Sequence, residues 1–209
     1  MNDRSTLVEA FRHHYESSDS HWGGHSGGGS DAYYNIDYRM FLERFIRLNR
    51  IRSVVDIGCG DWQFSRLINW AGARYYGFDV VESVVARNRE RYAGADISFD
   101  LMPEDFADVP DADLLIMKDV LQHLPDREIM RHRNHLFKRY PTCLISNSYR
   151  KLQTSQNVDI DYGGFRCLDL NAEPYRFGGR YVLEFSTPLW EEIRTLLYIP
   201  PLKRPRPEA

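Results

Sequence analysis

Residues 54–60 read Val-Val-Asp-Ile-Gly-Cys-Gly, an apolar strand pattern that ends in a turn with two glycines. Because glycine has no Cβ, a ligand can approach the backbone of such a turn closely. The next strand-like run closes with Asp79, about one strand–helix–strand repeat later. A carboxylate at that strand tip can accept hydrogen bonds from a ribose diol. Together, the glycine turn and Asp79 indicate a site for a nucleoside-containing cofactor.

Strands and helices alternate regularly around this stretch. The strands are continuous aliphatic runs, as expected where helices cover both faces of a parallel sheet. The alternation predicts an α/β fold, a Rossmann-like doubly wound sheet that is mostly parallel, with an antiparallel last strand. We predict strands over residues 53–57, 74–78, 97–99, 113–117, 142–146, 181–185 and 195–199, and helices over 62–70, 82–92 and 126–140.

The N-terminal part predicts two amphipathic helices, over residues 4–16 and 37–48, joined by a glycine-rich segment. This segment runs from Trp22 to Ser30 and reads Trp-Gly-Gly-His-Ser-Gly-Gly-Gly-Ser. A flexible linker and a lid over a ligand both fit this composition, since successive backbone N–H groups in such a loop can hold an anion.

A length of 209 residues suits a single domain. We expect residues 1–50 to pack as helices and a glycine-rich loop on a core formed by residues 51–200, with 201–209 as a disordered tail. Within the core, residues 150–179 are polar and aperiodic. A loop of this length in a compact domain is usually functional or disordered.

Composition favours some classes of protein over others. The formal charge of −3 lacks the basic excess that is typical of nucleic-acid binders. Three cysteines, without metal-type spacing and odd in number, suit a reducing compartment. No apolar run is long enough to cross a bilayer, and the first residues are too polar for a secretory signal. We therefore expect a cytoplasmic protein that binds neither nucleic acid nor membrane and has no metal site.

The details of the glycine turn distinguish two classes of cofactor site. A dinucleotide-binding turn needs Gly-x-Gly-x-x-Gly, whose third glycine lets the helix pack closely beneath the pyrophosphate. Gln63 occupies that position, which disfavours a nicotinamide dehydrogenase. Residues 56–62 instead resemble the first motif of the class I S-adenosylmethionine-dependent methyltransferases, with Trp62 where the third glycine of that motif usually stands.

The resemblance to this family extends over residues 53–149 and includes 113–124, which read Asp-Leu-Leu-Ile-Met-Lys-Asp-Val-Leu-Gln-His-Leu. It implies S-adenosylmethionine as cofactor and S-adenosylhomocysteine (SAH) as product. It also implies that the first turn holds the methionine end, that Asp79 binds both ribose hydroxyls, and that Asp100 with Leu101 borders the adenine. The cofactor-binding residues that it implies are Asp56, Gly58, Cys59, Gly60, Trp62, Asp79, Val80, Asp100, Leu101 and Lys118.

The chemistry of methyl transfer suggests residues on the acceptor side. The reaction needs proximity and orientation, and a hydroxyl acceptor also needs a base, a role that histidine fills near neutral pH. His123 follows the fourth strand and is our candidate base, although a structural role in capping the next helix is an alternative. Asp119 could serve as the base instead, or could orient the acceptor. We expect the other histidines, at positions 13, 14, 21, 25, 132 and 135, at the surface.

Polar residues of the glycine-rich segment and of the aperiodic loop are candidate substrate contacts. A solvated loop with local turns explains any single one of them equally well. Arg166 could pair with a phosphate or carboxylate on the acceptor. The candidate substrate residues are Trp22, Ser30, Asn147, Tyr149, Asp159 and Arg166.

These observations favour a methyltransferase acting on a small polar acceptor, such as a hydroxyl of a sugar, a sugar-phosphate or a natural product. Methylation at nitrogen, sulfur or carbon stays open. One alternative is a nucleic-acid methyltransferase, but base amino-methyltransferases of this class usually carry an Asn/Asp-Pro-Pro-aromatic motif where residues 118–121 read Lys-Asp-Val-Leu. The other is a cofactor-binding pseudoenzyme that regulates a partner, against which the candidate base His123 argues.

Overall fold

Seven strands form one sheet in the order β3-β2-β1-β4-β5-β7-β6 in the computed structural model, which describes residues 3–20, 22–150, 157–188 and 192–201. Strands β1 to β5 are parallel, and β7 runs antiparallel to both β5 and β6. This confirms the predicted Rossmann-like sheet with its antiparallel last strand. The strands are β1 (Ser53–Ile57), β2 (Arg74–Asp79), β3 (Ile97–Leu101), β4 (Leu114–Lys118), β5 (Cys143–Tyr149), β6 (Arg180–Ser186) and β7 (Glu192–Tyr198).

The described α-helices are α1 (Asp3–Glu16), α2 (Ile36–Leu48), α3 (Glu82–Tyr92) and α4 (Asp126–Arg131). The first three confirm the helices that we predicted there. The helix predicted over 126–140 is α-helical only in its first part and continues as a π-helical turn and a short 3-10 turn. No helix in these four described ranges is long and apolar enough to cross a membrane.

The helix predicted over residues 62–70 is wrong, because only a short 3-10 turn, Ser65–Leu67, forms there. Trp62 has a φ of 60°, a left-handed conformation that a right-handed α-helix cannot contain. Its indole is buried, with ring centroids 5.4 Å from Tyr75 and 5.1 Å from Phe99. Burial of this large ring in an aromatic cluster outweighs the local helical preference.

The sheet lies between two apolar layers. In β1, Val55 faces the layer that contains Phe11 of α1, whereas Val54 faces the layer that contains Leu42 of α2. This alternation follows from the two-residue period of a strand. The two N-terminal helices therefore contribute to the apolar layers on opposite faces of the sheet.

The order of the strands reverses at β1, which pairs with β2 on one side and with β4 on the other. In an open α/β sheet, such a reversal creates a crevice at the carboxyl ends of the strands, where ligands bind. The described part of the aperiodic loop, residues 157–179, contains no helix or strand, as we predicted. Apart from Pro201, the tail expected over 201–209 lies outside the described residues.

Candidate active site

A cavity of about 820 Å³ opens at the carboxyl ends of β1, β2 and β4. It is lined by the glycine turn, by the loops after β2 and β4, by α1 and by the glycine-rich segment. The structure thus brings most of the predicted cofactor and catalytic residues together. Those that line the cavity are Asp56, Gly58, Cys59, Gly60, Asp79, Val80, Lys118, Asp119, His123, Trp22 and Ser30.

Three residues with an implied cofactor role lie outside the cavity lining. Trp62 belongs to the aromatic cluster described above. Asp100 forms an ion pair with Arg89 in which both side chains are about half exposed, and Leu101 is also exposed. Met102, the next residue, lines the cavity instead.

Four predicted substrate residues also lie outside the lining: Asn147, Tyr149, Asp159 and Arg166. Asn147 accepts a hydrogen bond from Gln122 N at 3.2 Å. The Tyr149 ring lies beneath the guanidinium of Arg194, 3.4 Å from its centre. Both residues are buried in β5.

Arg166 is not free to bind an anion on an acceptor, contrary to our prediction. Its side chain is only 6% exposed. The guanidinium donates to Asp126 Oδ1 at 2.7 Å and to Leu124 O at 2.6 Å. Asp159 accepts from Asp126 N at 2.7 Å and belongs to the same network. These contacts hold the aperiodic loop against the start of α4, so Arg166 has a structural role.

Asp79, at the end of β2, is held by backbone donors. Its Oδ2 accepts from Gly60 N and its Oδ1 from Val81 N, both at 3.0 Å. Burial raises the pKa of this carboxyl to about 6, although the hydrogen bonds from the backbone oppose the shift. Each oxygen retains further acceptor capacity, and the side chain lines the cavity. This is the chemistry that a vicinal ribose diol requires.

Asp56, in β1, is a second buried carboxylate on the cavity. Tyr75 OH donates to its Oδ2 at 2.6 Å. Burial raises the pKa of Asp56 to about 7, against the lowering effects of the Tyr75 hydrogen bond and the Lys118 charge. The hydrogen bond and the nearby charge offset only part of the cost of burying this carboxylate. A ligand that brings a positive charge would therefore be favoured beside it.

The raised pKa values of Asp56 and Asp79 predict how the ligand-free protein responds to pH. Both groups bind protons more tightly in the folded state than in the unfolded chain, where the pKa is 3.8. Their contribution to stability is therefore present below pH 3.8 and is lost as the pH rises through about 6 to 7. We expect the free energy of unfolding to fall between pH 5 and pH 7, by on the order of 2 kcal/mol for Asp56 alone.

Urea unfolding across this pH range measures the effect. Asp56→Asn should reduce the fall, because the amide does not titrate. Asp100→Asn, in the half-exposed pair with Arg89, is the matched control and should leave the wild-type slope. An unchanged slope in Asp56→Asn would contradict the prediction.

Asp119 and Lys118 continue the polar wall beyond β4. Asp119 Oδ2 forms an ion pair with Lys118 Nζ, which also donates to Gly29 O at 3.3 Å. Asp119 Oδ1 is buried and has no hydrogen-bond partner within the described part of the chain. A φ of 56° places Asp119 in a sparsely populated conformation, of a kind that clusters at functional sites. The orphaned oxygen fits a ligand that carries hydrogen-bond donors.

Because the two glycines of the turn have no side chain, other side chains of the protein lie directly against their backbone. A Cβ at Gly58 would lie 2.3 Å from Val120 Cγ2, and one at Gly60 would lie 2.4 Å from Ser26 Oγ. Ser26 Oγ donates to Asp61 Oδ1 at 2.6 Å and accepts from Asp61 N at 3.0 Å. The glycine-rich segment is therefore fixed on the turn.

Gly58→Ala should destabilise the protein more than Gly72→Ala. Both glycines have positive φ, 74° and 79°, but a Cβ at Gly72 meets nothing within 4 Å. The left-handed conformation alone costs roughly 1–2 kcal/mol for an alanine, and the clash with Val120 should add about 1–3 kcal/mol. Urea unfolding checks this, and Val120→Ala added to Gly58→Ala should restore part of the loss. If Gly58→Ala and Gly72→Ala destabilised the protein equally, the predicted clash with Val120 would be refuted.

His123 has the geometry of a neutral base. Its Nδ1 lies 2.7 Å from Gly164 O, and since a carbonyl only accepts, Nδ1 carries the proton and Nε2 presents a lone pair. Burial, at 8% exposure, lowers the pKa of His123 below its ordinary 6.5. The residue before α4 is Pro125, without a side-chain cap, so His123 does not cap this helix.

Gln122 lies beside the ring of His123. Gln122 Oε1 accepts from Ser148 N at 2.7 Å, which fixes the amide. Its Nε2 then lies 3.5 Å from Nε2 of His123, longer than an ordinary hydrogen bond. The ring is therefore held through Nδ1, and the lone pair of Nε2 stays available.

Sequence reasoning missed two groups of lining residues. Helix α1 lines the cavity through Leu7, Phe11 and Tyr15, whose spacing of four signalled an amphipathic helix but not which ligand it would face. His14 and His132 also line the cavity, and His132 is buried, so their expected surface location is wrong. Positions 13, 25 and 135 are exposed as we expected, and His21 lies outside the described residues.

Comparison with known proteins agrees with this geometry. Residues 55–133 match the family model described as a methyltransferase domain. A search of curated proteins finds no match. Magnesium protoporphyrin IX methyltransferase from Synechocystis PCC 6803 with bound SAH is similar in structure, with a TM-score of 0.62 and 17% identity over 95% of this chain and 96% of that chain.

Two further solved structures share the fold. The methyltransferase domain of bacterial CtHen1-CN has a TM-score of 0.58 and 16% identity, over 79% of this chain and 99% of that chain. The N-terminal domain of EvdMO1 in the presence of SAH and D-fucose has a TM-score of 0.55 and 13% identity, over 79% of this chain and 84% of that chain. Residues 55–133 thus match a methyltransferase domain, and the fold of the chain is that of solved structures that include two methyltransferases.

Proposed function

We propose that this enzyme methylates a hydroxyl of an uncharged small molecule, a sugar or a natural product, with His123 as general base. The observation that supports this most directly is the state of His123. Its Nδ1–H is bound to Gly164 O, and it lines the same cavity as Asp79. A sugar-phosphate acceptor loses support, because Arg166 is buried in an internal network.

The residues around the cavity fit S-adenosylmethionine. Asp79 would accept hydrogen bonds from the ribose hydroxyls. Asp56 and the orphaned oxygen of Asp119 would face the positive end of the methionine part. Lys118, paired with Asp119, would lie beside the methyl-donor position. When bound, the cofactor supplies an electrophilic methyl group on a sulfonium.

The chain's own contribution to the reaction is position and proton transfer. An in-line displacement depends on holding the two reactants in register. His123 Nε2 would take the acceptor proton, while the hydrogen bond from Nδ1 to Gly164 O would stabilise the imidazolium. Helix α1 and Trp22 would exclude water from the site.

The cavity favours a small acceptor over a nucleic acid. Recognition of a phosphate backbone depends on available cations. In the described chain, each cation that lines the cavity already has an internal partner. These cations are Arg4, paired with Glu104, Lys118, paired with Asp119, and Arg131, paired with Glu128.

Measurement of SAH release tests the proposed acceptor class. The purified protein is incubated with S-adenosylmethionine and a panel of glycosides, sugar phosphates, phenols, RNA and DNA oligonucleotides. We expect uncharged hydroxyl compounds to stimulate SAH release and the sugar phosphates and oligonucleotides to leave it at background. Faster release with an oligonucleotide than with any small molecule would contradict the proposal.

A further inference from the structure

The wall of the cavity around His123 consists of aromatic rings. The His123 ring centroid lies 5.3 Å from that of Trp22, 6.2 Å from Phe11 and 5.8 Å from Phe165. Tyr162 also lines this region. The rings come from three separate parts of the chain, α1, the glycine-rich segment and the aperiodic loop, and they converge on the candidate base.

Phe165 is presented to the cavity by a fixed backbone. The ring is 51% exposed although it lines the cavity. Its neighbour Arg166 is buried and bound to Asp126 and Leu124. On the other side, Gly164 O accepts from His123. Both neighbours are thus anchored, which fixes the backbone from which the Phe165 ring projects beside His123.

The polar groups on this side are few and already engaged. Gln122 Oε1 is bound to Ser148 N, and the Lys118 ammonium is bound to Asp119. A site with an apolar aromatic wall and one available acceptor atom selects a flat apolar body with a single hydroxyl. A sugar, with hydroxyls around its ring, would leave several of them unpaired against this wall.

We propose that the acceptor is a phenol-type alcohol, whose aromatic ring lies against Phe165, Trp22 and Phe11 with its hydroxyl at Nε2 of His123. This rests on the proposed function. In the reaction the phenolic oxygen forms a bond to the methyl carbon, and the sulfur–methyl bond breaks with its electron pair kept by sulfur. The phenol proton passes to His123 and then to water, so the products are an aryl methyl ether, SAH and a proton.

The weakness of the base supports this class of acceptor. Burial lowers the pKa of His123, so the imidazole is a poor base for an aliphatic hydroxyl. A phenolic hydroxyl has a pKa near 10, and proton transfer is most efficient when the donor and the base are not far apart in pKa.

Binding to the SAH-loaded protein, measured by saturation-transfer NMR titration, tests the inference. The probes are 2-naphthol, its saturated analogue decahydro-2-naphthol, and glucose 6-phosphate. We expect 2-naphthol to bind at least about tenfold more tightly than the saturated analogue, since stacked rings add to the burial of area. Glucose 6-phosphate should not compete. In parallel, SAH release should be fastest with 2-naphthol.

Two variants of the aperiodic loop distinguish stacking by the Phe165 ring from a general effect of changing this loop. Phe165→Leu keeps an apolar side chain without the ring and should weaken 2-naphthol binding about fivefold to tenfold, with SAH affinity unchanged. Val158→Ala is the control, because Val158 is 58% exposed in the same loop and does not line the cavity. It should behave as wild type.

Three results would overturn the inference. They are equal binding of 2-naphthol and its saturated analogue, absence of 2-naphthol binding to protein that has bound SAH, and faster methylation of a glycoside than of any phenol. The last result would leave the proposed function intact. Failure of SAH itself to bind would overturn the proposed function as well.

Discussion

Asp79→Ala is expected to weaken the binding of SAH by about 100-fold or more. A hydrogen bond to a charged group contributes about 1.5–3 kcal/mol, and Asp79 would make one to each ribose hydroxyl. A loss of roughly 3 kcal/mol corresponds to about two powers of ten in affinity. The substitution also leaves Gly60 N and Val81 N without their acceptor, which loosens the turn. Isothermal titration calorimetry measures the effect directly.

The pH dependence of the same titration provides a second readout. The ribose diol needs the ionised carboxylate, and burial raises the pKa of Asp79 to about 6. The affinity of the wild type for SAH should therefore fall as the pH drops through about 6. In Asp79→Ala the part of this fall that comes from the ribose contact should be absent, and only the titration of Asp56, whose pKa is raised to about 7, should be left.

Asp100→Ala is the matched control for this prediction. Asp100 also lies near the carboxyl end of a parallel strand, β3, but its carboxylate faces Arg89 at the surface and does not line the cavity. We expect its SAH affinity to stay within about threefold of wild type, as is usual for a surface substitution. A loss as large as that of Asp79→Ala would show that Asp100 borders the adenine, as the resemblance to the family implies, although it does not line the cavity.

His123→Gln is expected to lower kcat by about 100-fold or more, the usual contribution of a general base. Glutamine keeps much of the side-chain size but cannot take up a proton at neutral pH. The affinity for SAH should be unchanged, because in our proposal the turn and Asp79 hold the cofactor and His123 does not. Steady-state kinetics with an active acceptor, combined with SAH titration, separates the two effects.

The wild-type pH profile should carry the signature of His123. In the proposed mechanism the neutral ring is the active form, and burial lowers the pKa of His123 below 6.5. At saturating cofactor, kcat should therefore be level near neutral pH and fall only at a pH below 6.5. In His123→Gln the profile should lose this limb.

His132→Gln is a close control, because His132 is also buried, has a pKa lowered by burial, and donates from Nδ1 to a backbone oxygen, that of Glu128. It packs on Phe106, away from the rings around His123. We expect its kcat within about threefold of wild type. Equal losses of kcat in His123→Gln and His132→Gln would show that His123 only packs in the site and is not the base.

The part of the site that the sequence could predict is local to strand ends. Gly58 directly follows β1, Gly60 lies two residues further along the turn, and Asp79 ends β2. Parallel strands bring their carboxyl ends to one edge of the sheet. The order of the strands in the sheet then brings these residues together at one edge. Helices α1, α2 and α3 were predictable for the same reason, since their apolar periodicity is local.

The part that failed depends on contacts between distant segments. The ion pair of Arg166 with Asp126 joins residues 40 positions apart, and nothing in the loop itself indicates that the guanidinium turns inward. Trp62 leaves the helical path because of partners in β2 and β3. The contribution of α1 to the cavity was hidden for a similar reason, because an apolar stripe predicts burial but not which ligand the buried face borders.

Calorimetric titration of the wild-type protein with SAH, with NAD in parallel, tests the central claim most directly. We propose that the cavity at the carboxyl ends of β1, β2 and β4 binds S-adenosylmethionine and its product through Asp79 and the glycine turn. We expect saturable binding of one SAH per chain and no heat of binding with NAD. Binding of NAD without SAH, or of neither, would contradict the account.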